Sequence, residues 1–135
     1  MLLMLEDDSE RIERFTVAVR AIDPSLPLVI WRSAKVMVRE VGPLLHSARL
    51  ISLDHDLEPQ PGETEDPGDG IDVARFLGGL SPACPVVIHS SNATRGDWMM
   101  GEFELGGWQA RRVAPIGEDW IEAYWQVVVG RLLGG

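Results

Sequence analysis

Short apolar runs alternate along the chain with segments whose apolar residues recur at helical spacing. The apolar runs, which predict strands, are 1–6, 28–31, 48–53 and 85–88, and residues 110–114 can form a fifth strand. The segments with helical periodicity, which predict helices, are 9–22, 34–41, 70–79, 96–105 and 118–133. Five strands that alternate with five helices favour an α/β fold, with a parallel sheet that is doubly wound by helices on both faces.

The same periodicity predicts which helical side chains face the core. The predicted buried stripe of the first helix consists of Ile12, Phe15, Val19 and Ile22, and that of the last helix consists of Ile121, Trp125, Val128 and Leu132. Arg11 and Arg14 fall on the other side of the first helix. Tyr124 and its neighbours on the last helix belong either to the core or to a face that forms a homodimer.

Polar residues follow three of the predicted strands at the point where each strand ends. Asp7 and Asp8 come after the first strand, the run DHD (54–56) follows the third, and the run HSSN (89–92) follows the fourth. The carboxyl ends of parallel strands meet at one edge of the sheet, where ligands of such folds bind. We therefore expect these clusters to form one site.

Four carboxylates in this set suggest a cation. Asp7, Asp8, Asp54 and Asp56 would repel one another unless a metal ion lies among them or some of their pKa values rise. Carboxylate oxygens suit Mg²⁺, and added imidazoles favour Mn²⁺, so a divalent cation of one of these kinds is the predicted cofactor. The local alternative is that Asp8 caps a helix while Asp54 or Asp56 takes part in a turn.

The histidines and hydroxyl residues at the same edge suggest phosphoryl chemistry. His55 and His89 end two different strands, and two imidazoles near a phosphoryl group can act as general base and general acid. Ser90 and Asn92 can donate hydrogen bonds to phosphate oxygens, or they can cap the following helix. His46 is interpreted as an ordinary hydrogen-bonded residue.

Further candidates flank this edge. Arg111 and Arg112 face opposite ways in an extended segment, so one of them, assigned here as Arg112, is expected to bind a phosphate oxygen. Of the five tryptophans, Trp108 and Trp120 are expected nearest the site. The acidic segment 58–69, rich in Pro and Gly, is expected to border the site as a lid.

Length, charge and cysteine content narrow the classes of protein. The 135 residues suit a single domain over 1–135. A net charge of −9 disfavours a protein that coats duplex DNA, because the phosphate backbone would be repelled. No apolar run has the length of a membrane span. The single cysteine, Cys84, allows no internal disulfide and fits a reducing cytoplasm.

Six segments carry a family resemblance: LEDDSERI (5–12), SLDHDL (52–57), DGIDVARFL (69–77), PVVIHSSN (85–92), GGW (106–108) and RVAPIGEDWIEAYW (112–125). On these segments the chain resembles the cyclic-phosphate-processing receiver domains, a divergent branch of the response-regulator receiver domains. The resemblance implies a receiver-like or flavodoxin-like sheet with strand order 2-1-3-4-5. It also implies a metal-assisted activity on a small phosphorylated ligand, such as a cyclic nucleotide or an RNA 2′,3′-cyclic end.

The receiver pattern assigns roles to some of these residues, and this chain lacks one residue that receivers have. Carried over by position, the Mg²⁺-binding pair of a receiver corresponds to Asp7 and Asp8. The phosphoacceptor corresponds to Asp54, and the switch hydroxyl corresponds to Ser90. A receiver has a Lys before the Pro that follows its fifth strand, whereas this chain has Ala114 there and its only lysine is Lys35.

Three functions remain open from the sequence. The leading hypothesis is hydrolysis of a cyclic phosphate, with Asp54, His55 and His89 in the catalytic site. The second is a receiver that is phosphorylated on Asp54. The third is a module that binds a cyclic nucleotide without turnover.

Overall fold

The computed structural model describes residues 1–134, and all its strands belong to one sheet. The strands are β1 (Leu2–Leu5), β2 (Leu28–Trp31), β3 (Leu50–Leu53), β4 (Val86–Ile88) and β5 (Ala110–Arg112). They are parallel and lie in the order β2-β1-β3-β4-β5. The predicted fold class and strand order are therefore confirmed.

Helices cover both faces of the sheet. The helices are α1 (Ser9–Ile22), α2 (Ala34–Glu40), α3 (Gly70–Gly78), α4 (Ala93–Leu105) and α5 (Gln126–Gly134). On one face α2, α3 and α4 pack against the sheet, while α1 and α5 pack on the other face. None of these helices within residues 1–134 combines the length and apolar character needed to cross a membrane.

The two faces have separate hydrophobic cores, and the strands contribute to both by alternation. In β1, Leu3 and Leu5 belong to the core under α2, α3 and α4, whereas Leu2 and Met4 belong to the core under α1 and α5. All four side chains are fully buried. A strand that is covered on both faces needs apolar residues at every position, which explains the uninterrupted apolar runs in the sequence.

One helix start and one short helix differ from the prediction for local reasons. Helix α4 begins at Ala93, three residues earlier than predicted, because the Asn92 side chain accepts a hydrogen bond from the backbone N–H of Arg95 and caps the helix. A 3₁₀ helix, Gly42–Ser47, follows α2 where the sequence predicted only a break.

The last helix contains a π-helical turn, Ile121–Trp125, before α5 begins. The wider turn changes which residues face the core: Val129 is fully buried with Ile121 and Trp125, whereas Val128 is only partly buried. Tyr124 is 56% exposed, which places it on the surface and not in the core. π-Turns are frequent near functional sites.

Candidate functional site

Three carboxylates meet at the carboxyl edge of the sheet. Glu6 and Asp7 follow β1 and Asp54 follows β3, and these strands are neighbours with Leu5 beside Leu53. One ligand oxygen from each of the three residues lies within 4.8 Å of the others. We call Glu6, Asp7 and Asp54 the carboxylate cluster. The sequence anticipated Asp7 and Asp54 here but not Glu6.

Asp8, which was predicted as a metal ligand, lies outside the carboxylate cluster. Its Oδ1 accepts a hydrogen bond at 2.9 Å from the backbone N–H of Arg11, so its side chain caps α1. This is the local alternative that the sequence left open for Asp8. Both residues lie beyond the end of β1 at Leu5, but Glu6 keeps the side-chain direction of Leu2 and Met4, whereas Asp8 is the N-cap of α1.

Glu6 is fully buried and surrounded by donors. Its Oε2 accepts hydrogen bonds from the backbone N–H groups of Asp7 (3.0 Å) and Asp8 (3.1 Å), and its Oε1 lies 3.2 Å from His89 Nε2. Burial alone raises the pKa of this carboxyl, but the hydrogen bonds and the positive charge of Arg11 hold it below its ordinary value. Glu6 is therefore a permanent negative charge at the base of the cluster.

The other two carboxyls are poorly compensated. Burial raises the pKa of Asp54 to about 6, and the nearby Glu6 carboxylate contributes to the rise. Burial also raises the pKa of Asp7, with further contributions from Glu6 and Asp8. Asp54 Oδ1 accepts one hydrogen bond, from the His55 N–H at 2.8 Å. Crowded carboxyls with raised pKa values favour a bound cation.

The donor set of the carboxylate cluster fits a hard divalent cation. It offers only carboxylate oxygens, which Mg²⁺ and Mn²⁺ prefer, and three protein ligands leave positions for ligand or solvent oxygens. Asp7 Oδ2 also accepts a 2.6 Å hydrogen bond from the Glu58 N–H, so the acidic loop 58–69 starts beside the cluster. These residues fit a metal centre, without indicating which of the two metals binds.

His89 follows β4 at the carboxyl edge of the sheet, but its side chain does not reach the surface there. Its side chain is fully buried, and both ring nitrogens have partners: Nδ1 lies 2.7 Å from Ser52 Oγ and Nε2 faces Glu6. Ser52 Oγ also accepts a 3.0 Å hydrogen bond from Trp125 Nε1. All donors are matched when the Ser52 hydroxyl donates to Nδ1 and the Nε2–H donates to Glu6. In this structure His89 orients Glu6 and does not face a ligand.

His55 follows Asp54 in the chain, and one of its ring nitrogens has no hydrogen-bond partner among residues 1–134. It is 3% exposed, and its Nδ1 lies 2.6 Å from Asp56 Oδ1. Its Nε2 is buried and has no hydrogen-bond partner among residues 1–134. A buried polar atom without a partner is costly, so it marks a place where a ligand group or solvent can bind. His55, Asp56 and Asp69 also form a second group whose ligand atoms lie within 4.8 Å of one another.

Gly70 allows the start of α3 to approach the backbone of Asp54 and His55. A Cβ atom at this position would lie 2.1 Å from the Asp54 carbonyl oxygen and 2.8 Å from His55 Cα. Its backbone N–H donates to the His55 carbonyl at 2.9 Å. The start of α3 therefore packs directly against the backbone of Asp54 and His55, and only glycine permits so close an approach.

Ser90, Asn92 and Arg112 stabilise the β4–α4 loop. Ser90 Oγ accepts a hydrogen bond from the Asn92 N–H, and the Asn92 side chain caps α4. Arg112 donates to the carbonyls of Ser90 (3.0 Å) and Ala93 (3.4 Å). Arg111 is exposed. Arg112 is thus the arginine that faces this loop, and it also lies 3.6 Å from Asp97 Oδ1.

Arg11 occupies a position that the helical pattern did not predict. Its Nη1 lies 3.8 Å from Glu6 Oε1 and 3.9 Å from Asp54 Oδ2, and its guanidinium lies over the ring of Trp120 at 5.3 Å. Trp120 is therefore near the site, as expected. Trp108 is not: it packs against Phe103 and donates to the Leu80 carbonyl, on the α4 side of the sheet.

Comparison with known proteins identifies the family of the chain. A family model described as the cyclic-phosphate processing receiver domain matches residues 1–104. The chain belongs to this family. The resemblance stated from the sequence is therefore confirmed. No curated protein matches the chain in sequence.

Several solved structures share the fold at low sequence identity. A response regulator receiver domain from Rhodospirillum rubrum is 16% identical with a TM-score of 0.68, over 96% of this chain and 89% of that chain. The phosphorylated cyanobacterial phytochrome response regulator RcpA is 20% identical with a TM-score of 0.63, over 96% and 89%. A flavodoxin-like domain from Synechococcus sp. is 16% identical with a TM-score of 0.60, over 98% and 94%. At these identities the likeness concerns the fold alone.

Proposed function

We propose that the protein hydrolyses a small cyclic phosphate, such as a 2′,3′-cyclic nucleotide or an RNA cyclic end, with the help of Mg²⁺ or Mn²⁺. The observation that carries the proposal is the carboxylate cluster together with the buried, unpartnered Nε2 of His55, the residue that follows Asp54. The family match supports the ligand class, because the family is described as processing cyclic phosphates. Glu6, Asp7 and Asp54 are the residues that hold the cation.

The reaction consumes one water and opens the ring. A water oxygen forms a bond to phosphorus, one ring P–O bond breaks, and the products are a phosphate monoester and a free hydroxyl on the former ring oxygen. The divalent cation supplies positive charge against the phosphoryl oxygens. The carboxylate cluster orients that charge, and Glu6 stays ionised because of its hydrogen bonds.

His55 is the general base in this proposal. Asp56 accepts a hydrogen bond from Nδ1–H, which leaves the lone pair of a neutral imidazole on Nε2. Nε2 takes the proton of the attacking water, and the leaving oxygen takes its proton from solvent. His89 has no direct role in proton transfer here, because its ring is enclosed by Ser52 and Glu6. It acts by positioning Glu6.

A His55→Gln variant tests the assignment. Gln keeps a polar side chain but removes the base, and loss of a general base costs about 10²-fold or more in rate. His46→Ala is the matched control, since His46 is an exposed histidine in the 3₁₀ helix. Turnover of 2′,3′-cyclic AMP with Mg²⁺ is the assay. Equal rates for wild type and His55→Gln would contradict the assignment.

Phosphorylation of Asp54 is the second candidate. Asp54 Oδ2 accepts no hydrogen bond from the described residues, so an oxygen is available to form an acyl phosphate. This function predicts a mass increase of one phosphoryl group with acetyl phosphate and Mg²⁺ that Asp54→Asn abolishes. A stable adduct without any turnover of cyclic phosphates would favour this candidate over hydrolysis.

A further inference from the structure

We propose that Arg11 binds a phosphate oxygen of the ligand, and that the ligand is a singly charged phosphodiester whose sugar lies in the pocket between α1 and residues 117–120. The inference rests on the proposed function for the identity of the ligand. It adds a phosphate-binding residue and a preference for one phosphate group over several.

The Arg11 guanidinium has free donors beside the carboxylate cluster. It lies 3.8 and 3.9 Å from oxygens of Glu6 and Asp54, farther than the roughly 2.7–2.9 Å of a charge-assisted hydrogen bond. Among residues 1–134 its side-chain N–H groups make no hydrogen bond. A guanidinium within 4 Å of two carboxylates of the cluster, with its N–H donors free, is suited to a phosphate oxygen held at the same centre.

Neighbouring residues hold Arg11 in this orientation. Its guanidinium stacks over the ring of Trp120, which is buried. The adjacent Arg14 is engaged elsewhere: it makes two hydrogen bonds of 2.9 Å to the Glu122 carboxylate and one of 2.7 Å to the Glu118 carbonyl. Arg11 is therefore the arginine of α1 that remains available to an anion at the carboxylate cluster.

The pocket next to Arg11 sets the class of ligand. It has a volume of about 390 Å³ and is lined by Arg11, Arg14 and Trp120 together with Asp8, Glu10, Gly117 and Glu118. Three carboxylates face two arginines there, and Glu122 already neutralises one of those arginines. Such a lining repels a second or third phosphate, whereas carboxylate oxygens can accept hydrogen bonds from sugar hydroxyls.

Calorimetric titration of the His55→Gln protein tests the inference. This variant lacks the proposed general base, so the ligand is not hydrolysed during the titration. The probes are Mg²⁺ alone and then, with Mg²⁺ present, inorganic phosphate, 2′,3′-cyclic AMP and ATP. Adding Arg11→Ala should weaken binding of cyclic AMP and phosphate about tenfold or more. It should also tighten Mg²⁺ binding about two- to fivefold, because a cation within 4 Å of two ligands is removed.

These opposite shifts separate a ligand role from a structural one. Arg20→Ala, an exposed arginine in the last turn of the same helix, should change neither affinity. The His55→Gln protein without the Arg11 substitution should bind 2′,3′-cyclic AMP more tightly than ATP. The inference is overturned if Arg11→Ala leaves the affinity for phosphate and 2′,3′-cyclic AMP unchanged, or if it also weakens Mg²⁺ binding. It is overturned as well if ATP binds more tightly than 2′,3′-cyclic AMP, or if neither inorganic phosphate nor 2′,3′-cyclic AMP binds.

The inference and the proposed function can fail separately. Turnover of cyclic AMP by the wild-type protein that Arg11→Ala does not alter would overturn the role of Arg11 and leave hydrolysis standing. Binding of inorganic phosphate that depends on Arg11, in a protein that turns over no cyclic phosphate, would support the role of Arg11 and overturn the proposed function.

Discussion

Replacement of Asp54 by Asn should stabilise the metal-free protein while it abolishes the metal site. Asp54 is 6% exposed, and burial raises the pKa of its carboxyl from 3.8 to about 6. At about 1.4 kcal/mol for each pKa unit, ionisation of Asp54 at neutral pH costs the folded state about 3 kcal/mol. Asn has the same shape, carries no charge, and still accepts the hydrogen bond from the His55 N–H.

The sign of the effect follows from the direction of the shift. Because the folded pKa lies above the unfolded one, the contribution of Asp54 to stability is fully present below about pH 4 and is lost as the pH rises through about 6. The advantage of Asp54→Asn in EDTA should therefore be about 3 kcal/mol at pH 7.5 and about half of that at pH 5. Mg²⁺ should stabilise the wild type but not the variant.

Urea unfolding followed by tryptophan fluorescence measures these free energies of unfolding. Glu13→Gln is the control, since Glu13 is an exposed carboxylate of α1 and its replacement should leave the free energy of unfolding nearly unchanged. An Asp54→Asn protein that is less stable than wild type at pH 7.5 in EDTA would refute the reasoning. A difference that is the same at pH 5 and pH 7.5 would refute it as well.

Two further substitutions probe the support of the site. Ser52→Ala leaves Trp125 Nε1 and His89 Nδ1 buried without a partner, so urea unfolding should show a loss of about 2 kcal/mol or more and calorimetry a weaker Mg²⁺ affinity, whereas the exposed Ser91→Ala should change neither. Gly70→Ala places a methyl group against the Asp54 backbone, so it should lower the free energy of unfolding by about 1–3 kcal/mol and also weaken Mg²⁺ binding. Gly79→Ala, where a methyl group fits, should leave Mg²⁺ binding intact.

The strands were predictable from the sequence because hydrophobic burial determines them, whereas their order came from the family resemblance. Fully buried parallel strands require continuous apolar runs, and the polar residues that end these runs lie at the edge where the site forms. Element ends were less predictable, since single side chains such as that of Asn92 set them. The π-turn before α5 leaves no comparable signature in the apolar pattern.

Within the site, the sequence held a signal that apolar runs alone conceal. Alternation along the strands puts Glu6 on the face of Leu2 and Met4, Ser52 on the face of Leu50, and His89 on the face of Val87, and these belong to one core. A polar residue buried there needs a partner, so parity alone predicts that Glu6, Ser52 and His89 associate. The prediction instead ended the first strand at Glu6 and assigned only Asp7 and Asp8 of the acidic run EDD (6–8) to the site.

Arg11 could not be placed by periodicity. The helical pattern reports which residues face the core along the middle of α1, but Arg11 lies in the first turns, beside the edge of the sheet. A long side chain there can reach across the helix end to the carboxylate cluster. Its role depends on the position of Trp120, which comes from the other end of the chain.

The proposed activity is hydrolysis of a cyclic phosphate by the carboxylate cluster and His55 with a divalent cation. Phosphorus NMR of the purified protein with 2′,3′-cyclic AMP and Mg²⁺, repeated after EDTA, tests it most directly. The account predicts a monophosphate signal that grows with time, that EDTA abolishes, and that reports which ring bond breaks. A cyclic phosphate signal that stays unchanged with Mg²⁺ and with Mn²⁺ would contradict the account.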